Sequence, residues 1–333
     1  MADDLAEVYA DKKLASLEKR LHETYAQASK DIQGKLDTFL QGSAEREKKY
    51  LDRVKNGTMT QEQFDHWKSG QVFFGENWKA QQKSIAKVLS DTNKVATQMI
   101  NDEKPDVFAF AGNYSGYKIE HGFGVDFGFD IYDETSVKRL LRDDPQILPM
   151  PGLNVPKDQR WNMQNIRSQI TQGIIQGESI PKIAKRLYET VPMRNEKQAT
   201  LHARTAMTSA HNGGRLQRMK EAEDLGIKLN KLWRANLDNR TRDAHQYLDG
   251  AKAKPDEPFR YGVDEIMYPG DPNAEPYLVY NCRCKLEEDL VDYPAHFARR
   301  AKDENGKYYI TDATTYAEWY EQKTGKRIKQ PNK

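Results

Sequence analysis

The sequence predicts an α+β protein: a helical N-terminal arm, a small β-containing insertion, a helical middle segment and a compact mixed α/β C-terminal domain. Three observations lead to this prediction. Apolar residues recur every three or four positions before residue 104 and again within 158–225, which is the period of a helix. Every second residue from Val125 to Ile131 is apolar, as in a strand. From residue 231 onward, short apolar runs alternate with polar loops.

Composition favours several thin layers over one thick core. The 333 residues suffice for two or three domains, and 37% hydrophobic with 31% charged residues is a polar balance. No run of 18 apolar residues is present, so we expect no membrane span. The first residues lack a basic stretch followed by an apolar one, so we expect no signal peptide. Two cysteines form no disulfide framework, which indicates a reducing compartment.

Residues 1–104 form the predicted helical arm. Gly42-Ser43 predicts an interruption, Asn56-Gly57 a turn, and Thr60 with Gln63 a new helix start through a capping box. The apolar stripe before the interruption is narrow, which suits docking on a partner protein; packing within the chain is the alternative. The candidate partner-binding residues of this stripe are Leu14, Leu17, Leu21, Tyr25, Ile32, Leu36 and Phe39.

The segment after Pro105 changes character. Residues 107–117 and 125–131 are rich in aromatic and β-branched residues, which predicts a β-containing insertion: a small β element or an extended excursion between two helical parts. Four prolines between Pro145 and Pro156 predict a rigid linker, so the insertion and linker together span 105–157.

Helical periodicity returns from residue 158. Gly177 predicts the end of one helix, and Ser179 predicts the N-cap of a second, short helix. A third helix is expected from about Asn195 to Leu225, with Gly226 after its last turn.

The C-terminal third combines predicted strands with a polar loop. Strands are expected around Trp233, at Tyr277–Tyr280 and from Tyr308, and a short amphipathic helix at 316–320. Residues 291–333 are a basic extension. Its basic residues include Arg299, Arg300, Lys302, Lys323, Lys326, Arg327, Lys329 and Lys333.

Four motifs follow one another in the second half of the chain. They are an Ala203-Arg-Thr helix, a strand with Trp233, the segment Thr241-Arg-Asp-Ala-His245 running into Leu-Asp-Gly250, and Asn281-Cys-Arg-Cys284. In this order they resemble the phage Mu F-like minor head proteins, also called head morphogenesis proteins. The resemblance covers roughly residues 160–290, and we assign 158–290 to a head morphogenesis domain.

The resemblance implies a minor capsid protein of a tailed bacteriophage. Proteins of this family are similar in binding the portal protein and in assisting head assembly or DNA exit. We therefore expect a location in the head interior or at the portal vertex, after assembly in the host cytoplasm. The expected partner is the portal protein; the major capsid or scaffolding protein and DNA are further candidates, and no membrane is expected. Such a role needs binding and no reaction, so no enzyme activity, catalytic residue or cofactor-binding residue is predicted.

His245, Cys282 and Cys284 are the candidate metal ligands. Zn²⁺ prefers thiolate and imidazole ligands, and His211 or Asp249 could supply a fourth. The alternative needs no cofactor: the cysteines pack as small apolar groups, and His245 bonds to backbone or to Asp249. A disulfide across one residue would be strained and is rejected.

Two further functions stay open beside the head protein. One is an enzyme packaged with the virion, either thiol-dependent or ADP-ribosyltransferase-like, resting on Arg204, His245 and an unassigned glutamate. The other is a DNA-binding accessory protein, since basic tails bind phosphate; the net charge of only +2 argues against a dedicated nucleic-acid packer.

The turn before His245 has a mainly structural interpretation. Asp238 and Thr241 are expected to bond local backbone groups, leaving Arg240 and Arg242 in solvent. Arg283 is expected to pair with Asp238 or Asp243.

Overall fold

The fold is mainly helical. A computed structural model of the chain describes residues 4–74, 76–123, 127–291, 299–302, 307–311 and 321. A few short antiparallel strands accompany the helices, which confirms the predicted α+β class. The predicted helix at 316–320 lies outside the described residues.

Eight helices lie in the described part of the chain. They are α1 (Leu5–Lys55), α2 (Gln61–Phe74), α3 (Glu76–Phe123), α4 (Glu134–Asp143), α5 (Val155–Ile175), α6 (Ile180–Asp224), α7 (Asp243–Leu248) and α8 (Pro276–Val279). Among the helices of this described part, none combines the length and apolar character needed to cross a membrane.

The strands form three small sheets. The largest has β1 (Leu229–Arg234) at its centre, flanked by β2 (Lys252–Ala253) and β5 (Lys285–Leu290), both antiparallel to it. A hairpin joins β3 (Phe259–Tyr261) to β4 (Asp264–Ile266), and a second joins β6 (Arg299–Lys302) to β7 (Tyr308–Thr311). The predicted strands around Trp233 and from Tyr308 are confirmed.

Helix α1 is longer than predicted. It continues through Gly42-Ser43, so the predicted interruption there is wrong. Glycine costs a helix only about 1 kcal/mol and leaves its backbone hydrogen bonds intact. The turn at Asn56-Gly57 is confirmed by the left-handed φ of +75° at Gly57. The capping box is confirmed too: Gln63 N donates to Thr60 Oγ1 at 3.1 Å, and Thr60 N donates to Gln63 Oε1 at 3.0 Å.

The apolar stripe of α1 is internal core, which corrects its assignment as a partner-binding surface. Five of the seven residues are no more than 2% exposed, and Phe39 stacks on Trp78 with ring centroids 4.9 Å apart. Helices α3, α5 and α6 of the same chain supply the apolar residues packed around Ile32 and Leu36. The stripe is covered by helices of the same chain, which agrees with the alternative that it packs within the chain. The five residues are Leu17, Leu21, Tyr25, Ile32 and Leu36.

The segment 105–123 is helical, so the prediction of β structure there is wrong. It is the last part of α3, which runs through Pro105. Its buried residues recur at helical spacing, and their burial outweighs both the cost of proline and the strand preference of aromatic side chains. These residues are Val107, Phe108, Ala111, Ser115 and Ile119.

Residues 127–133 belong to no helix or strand of the described chain, and Gly128 takes a left-handed φ of +70°. Phe127 and Phe129 both pack against a hydrophobic core, as the alternation predicted, whereas Ile131 is 72% exposed. Glu120 Oε1 accepts the backbone N–H of Phe127 at 3.1 Å. A side chain of α3 thus replaces the missing strand partner. Val125 lies outside the described residues.

The predicted glycine stops after α5 and α6 are confirmed, but the predicted break within α6 is absent. Asn154 caps α5, and Gly177 and Gly226 take left-handed φ values of +65° and +83° after α5 and α6. The two predicted helices between 180 and 225 are one, because α6 continues through Pro192.

The predicted strand at 277–280 is also wrong: Pro276 begins the short helix α8 there.

The chain forms two compact units, each assembled from separate stretches. One unit takes in the described residues of 1–17, 100–151 and 201–333; the other takes in those of 18–99 and 152–200. The second unit has a core of helical residues centred on Ile32, Ile85 and Ile166. The first unit has a core that surrounds Trp233 and includes both cysteines. The predicted boundary at 104/105 lies inside α3.

Candidate functional site

His245, Cys282 and Cys284 come together in the core of the first unit; they are called here the His245 cluster. His245 lies on α7, and the cysteines lie just before β5, whose pairing with β1 fixes their position. Asn281 takes a left-handed φ of +56°, which turns the chain out of α8. Cysteines two positions apart on extended backbone point to one side. Both sulfurs therefore face His245.

The distances within the His245 cluster are short. His245 Nδ1 lies 3.2 Å from Cys284 Sγ and 3.5 Å from Cys282 Sγ. The backbone N–H of Cys284 donates to Cys282 Sγ at 3.3 Å. His245 is 2% exposed, Cys282 3% and Cys284 5%. The cluster is therefore shielded from solvent.

The neighbours of the second ring nitrogen of His245, Nε2, indicate which nitrogen carries the proton. His245 Nε2 lies 3.0 Å from the carbonyl oxygen of Leu278, which can only accept a hydrogen bond, whereas the donor Nη2 of Arg242 lies farther away at 3.4 Å. We infer that Nε2 carries the proton. In the neutral ring, the lone pair of Nδ1 then faces the two sulfurs. The expected hydrogen bond from His245 to backbone is present, and it goes to Leu278.

The two thiols differ in acidity because they are coupled. Burial raises the pKa of Cys282, but hydrogen bonds with Cys284 and His245 outweigh burial and bring this pKa well below its usual range. Burial raises the pKa of Cys284, and the neighbouring Cys282 raises it further. The pair therefore favours one thiolate, since two buried like charges repel.

Trp233 closes one side of the cluster. It is fully buried, and its ring meets the His245 ring edge-on with centroids 5.6 Å apart. Its indole Nε1 has no hydrogen-bond acceptor of ordinary geometry among the described residues. The indole N–H nevertheless faces the sulfur of Cys284, and this interaction lowers the pKa of that thiol against the larger effect of burial. Trp233 thus belongs to the core of the first unit.

The two predicted fourth ligands lie outside the cluster. Asp249 Oδ1 accepts the backbone N–H of Ala235 at 2.7 Å. His211 Nδ1 lies 3.2 Å from Asn212 Oδ1, and burial lowers the pKa of His211 to about 3. Within the part of the chain that the structure describes, only His245, Cys282 and Cys284 bring potential metal-ligating atoms together.

Arg283 joins the cysteine segment to the turn before α7. Its guanidinium pairs with both carboxylate oxygens of Asp238, at 2.5 and 2.9 Å, and not with Asp243 as the alternative had it. The same carboxylate accepts the backbone N–H of Arg240 at 3.0 Å. Bidentate pairing of this kind is directional as well as strong. It holds Cys282 and Cys284 in register with α7.

The predicted turn structure holds with one exception. Thr241 Oγ1 donates to the backbone oxygen of Asn236 at 2.5 Å, and Arg240 is exposed. Arg242, however, is not left in solvent, because its Nη1 donates to the carbonyl oxygen of Tyr277 at 2.6 Å. This bond ties the start of α7 to α8.

Sequence reasoning missed the role of Asn212. Its Nδ2 donates to the carbonyl oxygens of Pro269 and Cys284 at 2.9 and 3.1 Å, and its Oδ1 accepts the N–H of Leu286 at 2.8 Å. Asn212 and the two glycines that follow it lie inside α6. No periodicity in the sequence distinguishes an asparagine that satisfies three backbone groups.

A buried charge network was also missed. Arg215 and Glu288 are almost fully buried and paired at 3.2 Å, and Lys118 approaches Glu288 at 2.9 Å. Asp4 pairs with Arg215 from the start of the chain. Burial raises the pKa of Glu288, but Lys118 and Arg215 lower it more, so the carboxylate stays ionised. These pairs join the residue before α1 to α3, α6 and β5 within one unit.

The basic C-terminal extension is only partly described. Arg299, Arg300 and Lys302 lie on β6, and the basic residues from Lys323 onward lie outside the described residues.

Comparison with known proteins identifies the segment that holds the cluster. A family model described as "Phage Mu protein F like protein" matches residues 164–287. The chain is 29% identical over 329 residues to the protein named minor head protein GP7 of Bacillus phage SPP1, covering 95% of each chain. It is 31% identical over 157 residues to the NAD(+)--arginine ADP-ribosyltransferase EFV of Enterococcus faecalis, covering 47% of this chain and 31% of that protein. No solved structure matches. Residues 164–287, with the whole His245 cluster, are a domain of the phage Mu protein F like family.

Proposed function

We propose that this protein is a minor head protein of a tailed bacteriophage that binds the portal protein and assists head assembly. The observation that carries the proposal is the similarity to a minor head protein over 95% of both chains. A match of that extent includes both compact units, and so it concerns the whole molecule and not one shared domain. The family match over 164–287 supports the same head morphogenesis role.

The environment of the His245 cluster favours a structural role over catalysis. A nucleophilic thiol must reach its substrate, yet both cysteines are at most 5% exposed. His245 is engaged at both ring nitrogens, by the cysteine sulfurs on one side and by Leu278 on the other. We therefore assign the protein's work to binding.

A second candidate is a virion-packaged ADP-ribosyltransferase-like effector, and the partial similarity to such an enzyme favours it. The chain spans about a third of that enzyme's length, so the enzyme's activity need not reside in the shared part. Incubation of the full chain with labelled NAD and an arginine-rich acceptor protein tests this candidate. Transfer of label would establish it, and absence of transfer at high enzyme concentration would remove it.

The portal protein is the partner we propose, at the portal vertex of a head assembled in the host cytoplasm. The major capsid and scaffolding proteins are further candidates. DNA is a candidate through the basic extension after residue 291; binding that weakens steeply with salt would identify it.

Co-expression with the portal gene of the same phage tests the proposal. A tag on the portal protein should retain this chain, and size-exclusion chromatography should show a complex larger than either component. Co-expression with the major capsid gene is the control that separates portal binding from general head affinity. Two separate peaks, with no chain retained by the tagged portal, would refute portal binding.

A further inference from the structure

We propose that His245, Cys282 and Cys284 hold one zinc ion in the core of the family domain. The three residues place one imidazole nitrogen and two sulfurs within 4.8 Å of one another. This is the combination of ligands that Zn²⁺ prefers. The proposal goes beyond the role in head assembly and does not depend on it.

The distances suit a tetrahedral ion. Zinc binds sulfur at about 2.3 Å and nitrogen at about 2.0 Å, which puts a nitrogen and a sulfur about 3.5 Å apart on a tetrahedron. His245 Nδ1 lies 3.2 Å from Cys284 Sγ and 3.5 Å from Cys282 Sγ. Both nitrogen–sulfur distances therefore lie within a few tenths of an ångström of the tetrahedral value.

The surroundings orient each ligand as a metal site requires. Leu278 O accepts from His245 Nε2 at 3.0 Å, so the lone pair of Nδ1 points at the proposed ion. The backbone N–H of Cys284 donates to Cys282 Sγ at 3.3 Å, a contact that stabilises a coordinated thiolate. Partners of this kind fix the tautomer and the ring plane of a metal-bound histidine.

Trp233 supplies an independent observation. Its indole nitrogen is fully buried and lacks an acceptor of ordinary geometry within the described residues. A buried N–H without a partner costs about 1–3 kcal/mol. A metal-bound thiolate at Cys284 is a better hydrogen-bond acceptor than a thiol. Coordination of Cys284 would therefore give this buried N–H a stronger acceptor.

The ion would join two separate segments of the domain. His245 belongs to α7, whereas both cysteines precede β5. Three protein ligands leave the fourth position to a water molecule. Because its ligands are buried, we assign the ion to holding the domain together.

Metal analysis of the full-length protein is the first test. We expect about one zinc per chain after purification from zinc-containing medium and dialysis. Replacement by Co²⁺ should give the intense visible bands of a tetrahedral ion and the near-ultraviolet bands of sulfur-to-cobalt charge transfer. This spectrum needs no variant, so it remains decisive even if substitutions prevent folding. A protein that folds but binds neither Zn²⁺ nor Co²⁺ above background would overturn the proposal.

Substitutions identify the ligands. Cys282→Ser, Cys284→Ser and His245→Gln should each weaken Zn²⁺ binding at least about tenfold. His66→Gln, at an exposed position on α2, is the matched control and should leave binding unchanged. His211→Gln should also leave binding unchanged, because His211 lies outside the His245 cluster. Equal Zn²⁺ affinity of wild type and the Cys282→Ser/Cys284→Ser double variant would show that these sulfurs bind no metal.

Discussion

Lys231 carries the clearest pH dependence at the residue scale. It lies fully buried on the same face of β1 as Leu229 and Trp233, and it donates to the carbonyl oxygen of Met267 at 2.8 Å. Burial is the main cause that lowers the pKa of Lys231 to about 7. In the unfolded chain the pKa of lysine is about 10.4. Between these values the unfolded state binds more protons, so the contribution of Lys231 to stability rises with pH.

We predict that Lys231→Met stabilises the protein most at low pH. Near pH 6 the folded wild type bears the full cost of a buried ammonium, and near pH 10 it bears little of it. The gain from the substitution should therefore be roughly 2–4 kcal/mol larger near pH 6 than near pH 10. Urea unfolding at both pH values measures it. The exposed Lys228→Met is the control and should show no such difference. A gain that does not change with pH would show that Lys231 titrates alike in both states.

Some contacts of single residues in the site could be predicted from the sequence, and others could not. The pairing of His245 with two cysteines follows from residue type and motif order, and the Arg283–Asp238 pair from charge. The hydrogen bonds of Asn212 and Trp233's unpartnered indole could not be predicted, because they depend on how α6 and β1 pack around the cluster.

At the scale of elements, α3 and α6 pack closely at one glycine. A Cβ built on Gly214 would lie 2.1 Å from the carbonyl oxygen of Phe108, a backbone atom that cannot move alone. We predict that Gly214→Ala lowers the free energy of unfolding by at least about 1–3 kcal/mol.

Gly34→Ala is the matched control for this contact. A Cβ at Gly34 would meet nothing within 4 Å, and Gly34 lies inside α1. Alanine there should raise stability by about 0.5–1 kcal/mol, since it restricts the unfolded chain and favours the helix. Chemical denaturation of both variants gives the comparison. Equal effects of the same sign would contradict the close approach at Gly214.

The α1 stripe is tested by a charge placed in it. Ile32 is fully buried, and the adjacent Gln33 is exposed. We predict that Ile32→Asp destabilises the free protein by at least about 3 kcal/mol, because an unpaired carboxylate would enter the core. Gln33→Asp should cost less than about 1 kcal/mol. Thermal unfolding without any partner is the measurement. An unchanged midpoint for Ile32→Asp would restore the earlier assignment of this stripe to a partner surface.

Elements were predictable where local chemistry decides and unpredictable where packing decides. The capping box at Thr60 and the glycine stops at Gly177 and Gly226 depend on a few neighbouring residues. By contrast, Pro105 and Pro192 both lie inside long helices. Burial along those helices outweighs the local cost of proline, and that burial is set by residues far away in the sequence.

At the scale of the whole molecule, each compact unit is assembled from stretches that are separated in the sequence by stretches of the other unit. The core around Trp233 includes Ile119 from α3, and Glu288 on β5 is paired with Lys118 from the same helix. The family segment 164–287 therefore completes its core with residues that precede it. This interleaving agrees with a similarity to a minor head protein that extends over nearly the entire chain. Sequence periodicity could not predict it, because it describes elements one at a time.

Quantitative mass spectrometry of purified phage heads tests the central claim most directly. Heads of the phage that encodes this chain should contain it in a few copies, far fewer than the major capsid protein, at a constant ratio to the portal protein. Heads from a mutant that lacks the portal protein are the control and should lose it. Absence of the chain from both procapsids and mature virions would contradict its assignment as a minor head protein.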